Sequence, residues 1–290
     1  MFSLPDSQSS TTHYFKVQEF RKPEYEVSSM IRPTVAHYCY PIVDEYVIAT
    51  CQGKLFAGGY LNDANVQWTV KAETTKFTPP KRSDYIFGRG QPFFCWFGNN
   101  NETEISYPEK HFQGKTNNEG IHEIKINYHG IEQEPRTAIV HALSAITDLN
   151  NQTQETKIQF IVHPCRYYVG FQLSTNYGKK NKPVQTKVIV TDIDGNLIDN
   201  ILIECKVNGN GKERKEDENG LTVFEEIKDE QTLTVVSSNK DAVNIDYTPK
   251  LGGTYNISYS VKDEQGRLAM SFYDNFYVSG GCDKEIETQK

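Results

Sequence analysis

The chain has 290 residues and a formal net charge of −7. Val 20, Ile 22, Thr 23 and Tyr 17 stand against Ala 10 and Leu 12, a composition suited to pleated, half-buried surfaces and poor in helix formers. It argues against a helical bundle or an α/β nucleotide-binding fold, and the acidity argues against nucleic acid as a main partner, because phosphate neutralisation needs clustered Lys and Arg.

Residues 1–13 are polar and read as a disordered N-terminal segment. They lack the basic stretch and apolar core of a signal peptide, and no run of about 18 apolar residues exists to span a membrane. In a secreted protein this chain would therefore be an internal piece or an incomplete chain. From residue 14 onward, short runs with a period of two are separated by Gly, Asn, Asp and Pro clusters, which are strand and turn signals. Cys39 and Cys51 close two neighbouring strand-like runs and form a candidate disulfide. Val66, Trp68 and Val70 alternate cleanly. Surplus length follows at about 74–114: Thr78-Pro-Pro80, Asp84-Tyr-Ile-Phe-Gly88, the aromatics Phe93, Phe94, Trp96 and Phe97, and the polar loop Asn99–Glu102. This reads as an insert between two strands of a first sandwich, with its aromatics packed on that sandwich's flank.

Alternation resumes at Ile124/Ile126/Tyr128, at Ala138–Asp148 and at Ile158/Phe160/Val162. Pro164 ends the ladder, which places a first domain at 14–163. A second follows at 164–281, with a tail at 282–290. The second holds seven strand-like runs, at 167–173, 185–191, 201–207, 221–227, 232–237, 254–262 and 270–278. The charged stretch Lys212–Glu218 reads as a solvated loop. The two halves repeat: Asn117–Ile124 parallels Asp217–Phe224, and Ala138–Asp148 parallels Tyr255–Asp263. The expected fold is all-β: tandem seven-stranded antiparallel sandwiches of the immunoglobulin or fibronectin kind.

Catalytic signals are lacking. There is no G-x-S-x-G, P-loop or H-E-x-x-H motif, and none of the six cysteines sits in a C-x-x-C pair. His141 reads as a core or edge histidine, and His163 with Cys165 as poor metal geometry. Asp192, Asp194 and Asp199 hint at calcium, but Gly195 comes too early for an EF-hand loop, so a hairpin turn is expected. No catalytic residue, metal or cofactor is expected. The sequons at Asn101, Asn151 and Asn256 are candidate glycan acceptors.

Several segments resemble the alpha-2-macroglobulin family, particularly its bacterial-type branch. Val17-Gln-Glu-Phe-Arg-Lys-Pro-Glu-Tyr-Glu-Val27 is similar to the stretch that links one macroglobulin-like domain to the next. Phe56–Val70 is similar to the family's F-G-G-P-L motif and the strand after it, with Ala57 and Tyr60 where the family usually has Gly and Pro. Thr78–Gly88 resembles the Pro-rich insert ending in D-Y-x-F-G. Pro183-Val184 with Val190–Gly195, and Phe276–Gly281, match more loosely. The resemblance covers about residues 14–281. It implies tandem macroglobulin-like domains that serve as non-catalytic scaffold in a protease-trapping inhibitor. The implied partners are proteases, met through the full-length protein, and neighbouring domains of the same kind. The implied location is extracellular or secreted, periplasmic or cell-surface in a bacterium. The family's thioester needs C-x-E-Q, and no cysteine here fits that motif, so neither thioester nor bait is expected in this stretch. The alternative is an adhesion or carbohydrate-binding module that uses the Phe93–Phe97 aromatics as a platform.

Overall fold

The structure is a computed structural model that describes residues 23–33, 36–37, 46–90, 106–127, 135–216 and 222–280. Every regular element among the described residues is a strand. Two separate cores form, one from residues between Tyr25 and Val162, the other from residues between Cys165 and Val278.

In the first sandwich, β1 (Tyr25–Arg32), β3 (Val47–Leu55) and β8 (Ile121–Ile126) make one sheet in the order β1-β3-β8. The facing sheet has the order β2-β10-β9-β4-β7, from β2 (Ala36–His37), β10 (Thr153–His163), β9 (Ala138–Thr147), β4 (Asn65–Thr74) and β7 (Lys110–Lys115). Strands β4 and β9 alternate buried and partly or fully exposed residues along their whole length, the pattern of a sheet with one face on a core. Trp68 on β4 is 1% exposed and donates its indole N–H to His122 Nδ1 at 3.1 Å.

The second sandwich repeats this topology. One sheet runs β16-β13-β11, from β16 (Val243–Tyr247), β13 (Val184–Thr191) and β11 (Tyr168–Leu173). The other runs β12-β18-β17-β14-β15, from β12 (Tyr177–Lys179), β18 (Leu268–Ser279), β17 (Gly253–Lys262), β14 (Leu202–Glu216) and β15 (Thr222–Val236). Among the described residues, each sandwich thus has seven longer strands in the same spatial order. Each also has a short strand between its first and second, β2 or β12, lying parallel to its last. The order is that of fibronectin-like sandwiches.

The turns repeat as well. Asn117, Asp148, Asp192 and Asp263 each accept the backbone N–H groups two and four residues on through Oδ1. The residue three positions on has positive φ in each: Gly120, Asn151, Gly195 and Gly266. This is a tight hairpin loop locked by an Asx turn. Asp192 therefore works as a turn residue, its oxygens taken by Asp194 and Asn196 N–H and the Asn196 amide. At the start of β17, the Tyr255 hydroxyl accepts the Leu251 N–H at 3.1 Å, and its one hydrogen faces Asp229 Oδ2 at 2.9 Å and the Leu251 carbonyl at 3.1 Å. This is the tyrosine corner of Greek-key sandwiches.

Three features differ from the sequence reading. The runs at 221–227 and 232–237 belong to one strand, β15, and most of the charged stretch expected as a loop belongs to its partner β14. Beyond Asn210, β14 pairs only with β15, so residues 211–216 and 222–227 extend past the sheet as a two-stranded ribbon. Strand β16 had not been read as a strand, yet it supplies Ile245 and Tyr247 to the core. Finally, β5 (Ile86–Phe87) and β6 (Arg89–Gly90), both in the insert, join the second sandwich and not the first.

Candidate functional site at the junction of the sandwiches

The insert leaves β4 at Thr74 and crosses to the second sandwich, where it works as a strap. The Arg82 Nε–H donates to the Gly195 carbonyl at 2.8 Å. Gly195 has φ +83°, and a Cβ there would overlap the Pro80 carbonyl oxygen, so this turn position needs glycine for both its backbone and its neighbour. Strand β5 then pairs antiparallel with β11 (Phe87 opposite Gly170, Ile86 opposite Phe171). The chain turns at Gly88, with φ +69°. Strand β6 pairs parallel with β18 (Arg89 opposite Phe272, Gly90 opposite Tyr273). The strap thus touches both sheets. Its Gly88 N–H donates to Ser271 Oγ at 2.9 Å, and the Phe272 N–H donates to the Gly88 carbonyl at 2.8 Å. Arg89 pairs with Asp274 and lies 5.1 Å from the Phe272 ring centroid.

Beneath the strap, the two sandwiches share a buried polar chain. Thr137 Oγ1 lies 3.0 Å from the Tyr168 hydroxyl, which lies 2.7 Å from His163 Nδ1. The Phe77 ring stacks edge-on against His163 and tilted against Tyr168, with both centroids at 4.9 Å. The two contacts are consistent with Thr137 donating to Tyr168 and Tyr168 donating to Nδ1 of a neutral His163. Burial lowers the His163 pKa to about 4 and pushes the Tyr168 hydroxyl well above its usual value, so both stay uncharged at neutral pH. Next along the chain, the Cys165 thiol donates to the Arg267 carbonyl at 3.3 Å. The Asp263–Arg267 pair, Nε to Oδ2 at 2.8 Å, is buried against the linker, where Asp263 also accepts the Arg166 N–H. Burial alone would raise the Asp263 carboxyl; the Arg267 guanidinium and the Arg166 and Arg267 N–H groups outweigh it and hold the pKa low.

Of the residues singled out from the sequence, His163 and Cys165 lie at this junction; the candidate disulfide and glycan residues do not converge here. Cys51 is fully buried on β3, and its expected partner Cys39 lies outside the described residues. Burial raises the thiols of Cys51 to about 11 and of Cys165 and Cys205 to about 12, which removes thiolate reactivity near neutral pH. Asn151 is exposed in the β9–β10 turn. Asn256 is exposed mid-strand on β17, its Oδ1 accepting the Asn275 N–H at 3.1 Å. Asn101 and the aromatics Phe93, Phe94, Trp96 and Phe97 lie outside the described residues. Among the described residues, no group of three His, Cys, Asp or Glu could hold a metal ion, and no helix is long and apolar enough to cross a membrane. Sequence reasoning missed Phe87, Arg89 and Tyr168. The D-Y-I-F-G motif marked the first of these, without showing which sandwich it serves.

No family model matches the chain. Over 204 residues it is 28% identical to Circularly permutated Ras protein 2 of Dictyostelium discoideum, an alignment covering 65% of this chain and 5% of that protein. Among solved structures, the native conformation of E. coli alpha-2-macroglobulin matches 89% of this chain with 16% of its own, at TM-score 0.51 and 11% identity. The trypsin-activated E. coli protein matches 91% with 17%, at TM-score 0.51 and 10% identity. The form activated by porcine elastase matches 90% with 22%, at TM-score 0.50 and 9% identity. The chain therefore has the tandem-sandwich fold found in bacterial alpha-2-macroglobulins and spans about a fifth or less of their length.

Proposed function

We propose, starting from the fold shared with bacterial alpha-2-macroglobulins, that this chain is a non-catalytic scaffold segment of an alpha-2-macroglobulin-like endopeptidase inhibitor. The observation that carries this reading is the ordered pair of identically wound sandwiches, with the D-Y-I-F-G insert of the first built into the second. A trap that reorganises after cleavage needs stiff units to transmit the change. The strap and the buried His163–Tyr168–Thr137 chain join the two sandwiches in that manner. Proteases are then partners of the full-length protein, and this segment contacts neighbouring macroglobulin-like domains. The setting is extracellular or periplasmic, where Asn151 and Asn256 would be exposed glycan acceptors in a eukaryote.

The test is the reading frame downstream of Lys290. It is expected to encode further sandwiches and a site for protease attack, with or without C-x-E-Q. A stop codon with no such neighbour would overturn the inhibitor role. In parallel, the 290-residue chain alone is expected to leave trypsin and elastase fully active on a large protein substrate. Inhibition by the isolated chain would show that trapping is not the mechanism.

A further inference from the structure

The strap occupies a cleft that the second sandwich builds between β11 and β18, and the cleft is specific. Opposite Phe87 lies Gly170, where a Cβ would stand 2.5 Å from Phe87 Cζ, so the ring needs a bare backbone beneath it. Gly90 sits with a Cβ position 3.0 Å from Ile86, 3.1 Å from Tyr273 and 3.3 Å from Phe171, which leaves little room for a side chain. Ser271 Oγ accepts from Gly88 and donates to the Val169 carbonyl at 2.6 Å, so one hydroxyl ties the strap to both sheets. Asp274 selects a cation at position 89. The cleft therefore reads an extended segment of the form aliphatic-Phe-Gly-Arg-Gly.

We propose that this cleft is an exchangeable strand-acceptor site, and that its occupant in trans is the Asp84–Gly90 segment of a second copy of this chain. The segment is held by four ladder residues, two hydrogen bonds at Gly88 and one ion pair, and its partners lie 83–85 residues away on β11 and 183–185 away on β18. No short turn ties it to β11 or β18. Closed and exchanged forms make the same contacts, so their balance depends on effective concentration. In the closed form the same chain presents its own segment to the cleft, and this intramolecular advantage favours the closed monomer in dilute solution. The inference stands apart from the inhibitor reading.

The test uses full-length chains. A donor-disabled variant, Phe87→Asp with Arg89→Asp, keeps the cleft but loses its own strap. An acceptor-disabled variant, Gly170→Val, keeps the strap but blocks its seat. Each alone should elute as a monomer by size-exclusion chromatography with light scattering, and an equimolar mixture should give a one-to-one heterodimer. A fluorescein-labelled peptide of residues 82–90 should bind the donor-disabled chain at least tenfold more tightly than the wild type, and a scrambled peptide should bind neither. Circular dichroism checks folding first. Should the double variant lose its strand signal, Arg89→Asp alone, which leaves Ile86 and Phe87 in place, takes its role. Should Gly170→Val fail, the peptide measurement decides. Monomers on mixing together with equal peptide binding to wild type and variant would overturn the proposal.

Discussion

His163 makes the junction acid-sensitive, and the size of the effect follows from its surroundings. The residue is 6% exposed, and its Nδ1 lies 2.7 Å from the Tyr168 hydroxyl. Protonating it puts a charge into a buried site and turns an acceptor into a donor, so the Tyr168 hydroxyl must rotate away. Burial lowers the pKa from 6.5 to about 4. Because the folded value lies below the unfolded one, the unfolded chain takes up the proton first. The contribution to stability is complete above about pH 6.5, is lost as pH falls towards 4, and is constant below that. At about 1.36 kcal/mol per pKa unit the loss is about 3 kcal/mol. The assay is urea unfolding between pH 7 and pH 4, comparing wild type with His163→Gln, whose amide oxygen can still accept from Tyr168. The subtraction removes the carboxylates common to both. The wild type should lose about 3 kcal/mol more than the variant, roughly 1 M or more in midpoint for a typical urea slope. Parallel pH profiles for the two chains would refute the argument.

Three further outcomes are expected. Gly195→Ala forces a positive φ on a residue whose Cβ overlaps the Pro80 carbonyl, and should cost about 1–3 kcal/mol, seen as a fall in melting temperature of several degrees; an unchanged melt would show that Pro80 moves freely. Tyr255→Phe strips a donor from Asp229 and an acceptor from the Leu251 N–H, and should cost about 1–3 kcal/mol in urea unfolding, whereas a neutral result would deny the corner any structural role. Iodoacetamide at pH 8 should leave Cys51, Cys165 and Cys205 unlabelled in the native chain by mass spectrometry, and label all three once urea unfolds it; native labelling of any one would contradict its burial.

What could be read from the sequence was whatever buries one face along a whole strand. Tyr255, Ile257, Tyr259 and Val261 alternate because every second residue of β17 enters the core, and Val66, Trp68 and Val70 do the same on β4. The ribbon at 211–216 escaped because it pairs beyond the sheet and has no core beneath it to impose a period. Strand β16 carried the signal in Val243, Ile245 and Tyr247, but three positions are too few to stand out beside polar neighbours. The strap has two residues in each of two sheets, so no period of two can develop, and its pairing with β11 and β18 spans sequence distances that local pattern cannot report. The junction escaped for a similar reason: Thr137, His163 and Tyr168 come from separate strand ends, and each alone looks ordinary.

The strap also sets a timetable for synthesis. Arg89 meets Asp274 across 185 residues of chain, so the segment leaves the ribosome long before its cleft exists. At about 5–20 residues per second, that delay is roughly 10–40 s for Arg89, while Ile86 and Phe87 stand unpaired for roughly 4–17 s until Gly170 and Phe171 of β11 emerge. The charges around them, Lys81, Arg82, Asp84 and Arg89, and the prolines Pro79 and Pro80 are the residue types that keep an exposed apolar strand from pairing wrongly. A nascent chain paused before β18 would carry a folded first sandwich and a loose strap, and in a crowded polysome the strap's first available partner could be a neighbour's finished cleft.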